Sequence, residues 1–241
     1  MTAPANDFIV MTSGAFTAAH LELVPQLERL TKKKIVTATT SVGTGESSIA
    51  SRLKRGEIAD IVIVADGLQR QFIEEGLVLA EGCTPVARSS IGIAVRAGAP
   101  KPDLSSVDAF RRTLLEAKSI VYSASVSGQY FTTELCQRLG IADQVLSKSR
   151  FIGGGERTGA VVARGEAEIA FQQMSELLPV PGLAHVTPLP PELQKVSVFS
   201  GGVAATTRDA ALARAVIDFL ASAEAAPAIV KSGLEAAGGT S

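Results

Sequence analysis

The sequence predicts an α/β protein built from two similar lobes, and three observations carry that prediction. Apolar runs of strand length alternate with helical patterns along the chain. Arg55-Gly56-Glu57 stands ahead of the apolar run 60–65, and Arg164-Gly165-Glu166 stands ahead of the run 167–171, an offset of 109 residues. Four loops rich in serine, threonine and glycine each fall between a strand and the helix after it.

Residues 8–11 read as a short apolar strand, and Phe16, Leu23, Leu27 and Leu30 then recur at helical spacing, with Pro25 expected to kink that helix. Residues 34–38 read as a strand. Residues 47–55 read as a short helix with Ile49 and Leu53 inward and Gly56 as its stop. The run 60–65 suits a parallel strand covered on both faces, and a helix is expected over 68–75. Residues 82–85 break the pattern, and 91–95 start a new strand.

After a turn at 100–103, Ser105 and Asp108 resemble a capping box ahead of a helix carrying Val107, Phe110 and Leu114. Strand 120–122, a helix over 128–139 stopped by Gly140, strand 150–152, a helix after Gly155 and strand 167–171 complete a second α/β unit. The proline-rich stretch 178–191 reads as connection, 196–199 as a strand, and helices over 209–221 and 227–232 close the chain. At the 109-residue offset Leu53 falls on Val162 and Gly45 on Gly154, so both units run glycine-rich loop, short helix, Arg-Gly-Glu, strand. One lobe is expected over 1–85 with 193–241, the other over 86–192.

The chain has 241 residues with 23 Lys and Arg, 24 Asp and Glu, and a formal net charge of -1. That balance, with 9 Phe, 2 Tyr and no Trp, argues against a nucleic-acid partner. With 46% hydrophobic and 20% charged residues the chain is not disordered, and no apolar run reaches the about 18 residues of a membrane helix. Cys83 and Cys136 form no CxxC and have no histidine pair nearby, so no metal or other cofactor is expected and two ordinary thiols are. The first residues lack the basic start and apolar middle of a signal peptide. Met1 is read either as placed ahead of a mature, cleaved chain or as a true cytoplasmic start.

The four loops are Thr12-Ser13-Gly14 with Ala15 beside it, Ser41 to Gly45 including Thr44, Ser123 to Gly128 including Ser127, and Gly153 to Thr158. Loops at the carboxyl ends of parallel strands bind ligands in open α/β sheets, and following helices add unpaired N–H groups. Hydroxyls and close backbone approach suit a small anion. Neither glycine loop is a nucleotide motif: the third glycine of GxGxxG and the GxxxxGK[ST] pattern are both absent. Arg157 at the first turn of a helix opposes the helix dipole, so it either meets a bound carboxylate or reaches sideways to Glu156 or solvent. Arg88 is either a ligand clamp or a hinge ion pair. One of Gln172 and Gln173 should point to the ligand. The lysines 32–34 read as a solvated helix end and His20 as a partly buried, satisfied ring.

These residues resemble a family. Residues 11–16, 55–66, 88–96, 164–173 and 219–226 are similar to the periplasmic solute-binding proteins of the molybdate-binding type, a resemblance that runs from about Phe8 to Leu234. It implies a two-lobed type II periplasmic-binding-protein-like fold with a hinge and an interlobe cleft. It also implies a small anion as ligand, a periplasmic location and delivery to a transporter permease, with a monomer as the working form and no insertion into the membrane. Molybdate binders of this kind hold the oxyanion with hydroxyl and backbone donors, including a tyrosine of the second lobe. Here the matching strand ends in Phe171-Gln172-Gln173, and the loop ahead carries Arg157.

That departure suits a larger, carboxylated ligand, and the same branch of the family contains an isomerase of a small unsaturated polycarboxylate. The resemblance therefore implies either an isomerase working by an allylic proton shift or a non-catalytic receptor for molybdate or another small anion. For the isomerase, Glu156 and Arg157 are the expected catalytic pair, with Tyr130 and His20 as other candidates for the base. The substrate would be bound by Thr12, Ser13, Gly14, Ala15, Ser41, Thr44, Gly45, Arg88, Ser123, Ser127, Gly128 and Gln172. An effector-sensing domain of a regulator shares the fold class but would need a helix-turn-helix in front, where this chain starts with a strand.

Overall fold

The computed structural model describes residues 7–38, 45–153 and 155–238. The chain divides into two compact units, Met1–Arg88 with Ser197–Ser241, and Ser89–Val196.

The first unit is built on a sheet of order β11-β4-β10-β3-β1-β2. Its strands are β1 (Asp7–Thr12), β2 (Lys34–Ala38), β3 (Ile61–Ala65), β4 (Thr84–Ser89), β10 (Ser197–Val203) and β11 (Glu235–Ala236). Strands β2, β1 and β3 are parallel, and β10 lies antiparallel on β3 with Phe199 opposite Ala65. All five residues of β3 are buried, as a strand covered on both faces requires. Successive side chains leave opposite faces, so Ile61 and Ile63 join one core and Val62 and Val64 the other. The first core is closed by α1 (Gly14–Thr31), α10 (Ala210–Leu220) and α11 (Ala226–Lys231) through Phe16, Leu23, Leu27, Ile217, Leu220 and Ile229. The second is closed by α2 (Ile49–Lys54) and α3 (Asp66–Glu74) through Ile49, Leu53 and Phe72.

The second unit has the sheet order β7-β6-β8-β5-β9, with β5 (Ile91–Arg96), β6 (Ile120–Ser123), β7 (Ser149–Ile152), β8 (Ile169–Gln173) and β9 (Leu183–Pro188). Here β7, β6 and β8 are parallel and β5 runs antiparallel to β8 and to β9. One face is covered by α4 (Val107–Glu116), by the helix that opens as α5 (Val126–Tyr130), passes through a π turn (Phe131–Leu135) and ends as α6 (Cys136–Arg138), and by α7 (Ala142–Leu146). The other is covered by α8 (Thr158–Ala163) and α9 (Met174–Leu177). The Arg-Gly-Glu repeat occupies the same place in both units. Gly56 and Gly165 end α2 and α8 with φ of +75° and +80°, a conformation that glycine adopts freely.

Several expectations need correction. The sheets are mixed rather than parallel, because β10 and β5 pair antiparallel with their neighbours. Residues 82–85 do not only break the pattern: β4 begins at Thr84, with Pro85 lying where the two-residue β11 does not pair. The stretch 178–191 contains β9, whose proline, Pro188, is the last residue of an edge strand and interrupts no ladder. The cap of α4 is Ser106, whose Oγ accepts from the Ala109 N–H at 3.1 Å, while the Ser105 N–H donates to Asp103 Oδ1 at 3.0 Å. Pro25 sits inside a helix that runs on to Thr31, and Leu30 is exposed rather than inward. Cys83 and Cys136, by contrast, are both free thiols as expected.

Candidate functional site

In both units the parallel strands end at one edge of the sheet, and the chain turns there into helices. In the first unit Thr12 and Ser13 are buried at the end of β1. The Ser13 N–H donates to Ile63 O at 2.9 Å, which fixes the turn against β3. Ser13 is the N-cap of α1 with extended backbone, yet it makes no side-chain cap bond. Its buried Oγ has no hydrogen-bond partner. An N-cap serine ordinarily spends this oxygen on the helix's own N–H groups. Gly14 then opens the helix and Ala15 is buried.

Ser41 and Thr44 lie outside the described residues. Gly45 is exposed and its carbonyl accepts from the Ser48 N–H at 2.9 Å. At the end of β3, Asp66 begins α3 and accepts a hydrogen bond from Ser200 of β10. Arg88 is an exposed residue near the end of β4, with β10 and β3 between its strand and β1. His20 is fully buried, with Nε2 2.8 Å from Thr37 Oγ1 and Nδ1 unpartnered. Burial lowers its pKa from 6.5 to about 4, so the ring is neutral near pH 7.

The second unit gathers more polar chemistry. Gln172, near the end of β8, is 3% exposed and organises three serines of the loop after β6. Its Nε2 donates to Ser123 Oγ at 2.7 Å, and its Oε1 accepts from Ser125 Oγ at 3.0 Å and from Ser127 Oγ. Ser125 Oγ also lies 2.8 Å from Ser127 Oγ. Gln172 thus holds the serines through its carbonyl oxygen and one amide donor. Gly128 permits this loop: a Cβ there would lie 1.8 Å from the Ser123 carbonyl oxygen. Tyr130 is also committed, its hydroxyl donating to Leu193 O at 2.7 Å.

Arg157 is the exposed N-cap of α8, one position ahead of the first turn in which it was expected. It does not reach sideways to Glu156. That carboxylate pairs with Arg164, at an exposed site where Glu166 also pairs with the same guanidinium. Arg157 acts instead on Glu176, in the first turn of α9. Desolvation by burial raises the Glu176 carboxyl from 4.5 to about 7, and the positive charge of Arg157 opposes that rise. Beside these two residues, Thr158 Oγ1 and Ser175 Oγ are buried without hydrogen-bond partners.

Among the described residues no group of three or more His, Cys, Asp or Glu is placed to hold a metal ion. None of their helices is long and apolar enough to cross a membrane. Sequence reasoning missed Glu176. The signal that could have found it is a carboxylate in the first helical turn after the strand, as Asp66 provides after β3.

Comparison with known proteins bears on the family and the fold. Residues 8–235 match the family described as bacterial extracellular solute-binding protein. The chain is 39% identical over 233 residues to an aconitate isomerase from a Pseudomonas species, covering 96% of this chain and 88% of that one. Among solved structures it resembles the periplasmic molybdate-binding protein of Azotobacter vinelandii, with TM-score 0.77, 16% identity, and 94% and 98% of the two chains covered. It also resembles a tungstate ABC transporter protein of Geobacter sulfurreducens, with TM-score 0.69, 15% identity, and 93% and 98% covered. The two-unit α/β fold is that of the solute-binding proteins, and the chain belongs to the bacterial extracellular solute-binding protein family.

Proposed function

We propose that this protein is an isomerase of a small polycarboxylate, interconverting trans- and cis-aconitate by an allylic proton shift. The observation that carries the reading is the 39% identity to an aconitate isomerase across 96% of the chain. The chemistry at the strand ends supports it. A tricarboxylate needs a cation and several hydroxyl or N–H donors, and in the second unit Arg157 with the unpartnered hydroxyls of Thr158 and Ser175 supplies them. Negative charge that develops as the methylene proton leaves would be met by the same donors. The reaction neither gains nor loses electrons overall. We further infer that the protein acts in the periplasm as a monomer.

The family's description favours a second reading, a non-catalytic receptor that delivers molybdate or another small anion to an ABC-type permease. Purified protein is incubated with trans-aconitate, and the cis isomer is followed by proton NMR. Turnover is expected. Absence of turnover with tight molybdate binding would leave the receptor. Arg157→Ala should weaken trans-aconitate binding by about tenfold or more, the loss of one charge-assisted contact, as calorimetry would register. Unchanged affinity would remove Arg157 from the site.

A further inference from the structure

Glu176 sits three residues beyond the end of β8, on the edge where β6, β7 and β8 all end. The short helix that carries it is firmly placed. The Met174 N–H donates to Ser90 O at 2.9 Å. A Cβ on Gly92 of β5 would lie 2.3 Å from Met174 Sδ and 2.6 Å from Thr187 O of β9, so the Met174 side chain packs over a glycine that β9 also needs. Ser175 and Leu177 on either side are buried. Glu176 itself is half-buried, and no hydrogen bond or ion pair to it is found among the described residues. Such a carboxyl is costly to keep charged, and nothing in the packing explains its presence. The charge of Arg157 acts on it, and two buried hydroxyls without partners, Ser175 Oγ and Thr158 Oγ1, stand next to Glu176 and to Arg157 in the chain. Unspent donors, one cation and one unspent acid therefore share the carboxyl edge of one sheet.

We propose that Glu176 is the catalytic residue that moves the proton, with Arg157 holding a substrate carboxylate beside it. This rests on the isomerase reading above. In the step, the Glu176 carboxylate takes a proton from the substrate methylene. That C–H electron pair becomes the new C=C bond, and the old C=C pair moves to the former vinylic carbon, with the developing negative charge delocalised into the adjacent carboxyl groups. The Glu176 acid then returns a proton to that carbon, so the carboxylate is regenerated and no co-reactant is consumed. A group that alternates between base and acid works best when its pKa lies near the operating pH. The carboxyl of Glu176, pushed up to about 7, meets that requirement. Arg157 is the charge that acts on it, and its removal should push the carboxyl higher still.

The full chain is tested with trans-aconitate. Glu176→Gln should lower turnover by about a thousandfold while calorimetric affinity for trans-aconitate changes less than tenfold. In D2O the wild type should place deuterium on the exchanging carbons, and Glu176→Gln should not. Glu176→Asp should recover part of the lost rate. In the wild type the rate should fall with acidification along a limb centred near pH 7. If Glu176→Gln turns over within tenfold of a working wild type, the role is overturned while the isomerase reading stands. If the wild type shows no such limb between pH 6 and 8, the role is likewise overturned, whether or not the variant folds. A wild type that neither isomerises nor exchanges overturns both.

Discussion

The two units share one scaffold and spend it differently. Both place three parallel strands in the order β2-β1-β3 or β7-β6-β8, then an antiparallel strand and a further one, with the short β11 added at the edge of the first unit. Both follow the middle strand with a helix whose N-cap position is a serine that makes no cap bond, and both end a six-residue helix on Arg-Gly-Glu. The chemistry at the strand ends diverges. The first unit offers an unspent Ser13 hydroxyl, a carboxylate bound by Ser200 and a neutral buried histidine. The second offers a serine cluster locked by Gln172, an uncommitted arginine and an acid that is easily protonated. The strands and cores answer to burial and are repeated. The loops answer to the ligand and are not.

The largest effect expected from this contrast concerns glycines in two first helical turns. Gly128 lies against the carbonyl of Ser123, and a Cβ there would meet backbone at 1.8 Å. Neither partner is a flexible side-chain end, so Gly128→Ala must displace the loop that carries Ser123, Ser125 and Ser127. A loss of about 3 kcal/mol or more is expected in urea unfolding, together with weaker trans-aconitate binding. Gly67, second in α3 of the first unit, has open space around its missing Cβ. Gly67→Ala should stabilise by about 0.5 kcal/mol. If the two substitutions had the same sign, the tight loop would not be a property of the second unit alone.

That contrast also explains what the sequence disclosed. The run 60–65 and the spacing of Ile49 and Leu53 reveal strand and helix because burial on one or two faces imposes a period on the residues themselves. The repeat at Arg55 and Arg164 discloses the duplicated helix ends, since positive φ demands glycine at Gly56 and Gly165. Strand β9 stays hidden because it carries proline and little burial, and its place depends on β5, almost ninety residues earlier in the chain. At the candidate site, residue types pointed to the serines and to Arg157. They pointed to Glu156 over Glu176 because a loop position is visible in sequence, whereas the partner that occupies a charge is not. Only the fold shows that Glu156 is paired with Arg164 and that Glu176 is unpaired.

A pH titration of stability should set the first unit apart through His20. Its pKa is about 4 in the folded chain and 6.5 when free, because the buried ring resists charging. Between those values the unfolded chain binds more protons, so stability falls as pH drops from 6.5 towards 4 and then levels off. A shift of this size corresponds to a loss of at most about 3 kcal/mol. Urea unfolding at pH 7, 5.5 and 4 should show the wild type losing more stability than His20→Gln. Equal slopes would mean that the ring is charged or solvated in the fold.

The finest comparison is a carboxylate that both units use in the same way at different depths. Asp60, just ahead of β3, accepts the Ile9 N–H of β1 at 2.7 Å and the Thr207 hydroxyl at 2.7 Å, and it is 5% exposed. Glu168, just ahead of β8, accepts the Lys118 N–H leading into β6 at 2.7 Å, but it is exposed. Each stitches the start of one parallel strand to its neighbour. Asp60→Ala leaves a buried backbone donor and a hydroxyl without their acceptor, which water cannot easily replace. A loss of about 2 kcal/mol is expected. Glu168→Ala returns the Lys118 N–H to solvent and should cost no more than about 0.5 kcal/mol. Equal losses in chemical denaturation would show that the bond itself, and not its burial, sets the energy. The repeated geometry would then be worth the same in both units, and the difference between them would be confined to the edge where the loops gather.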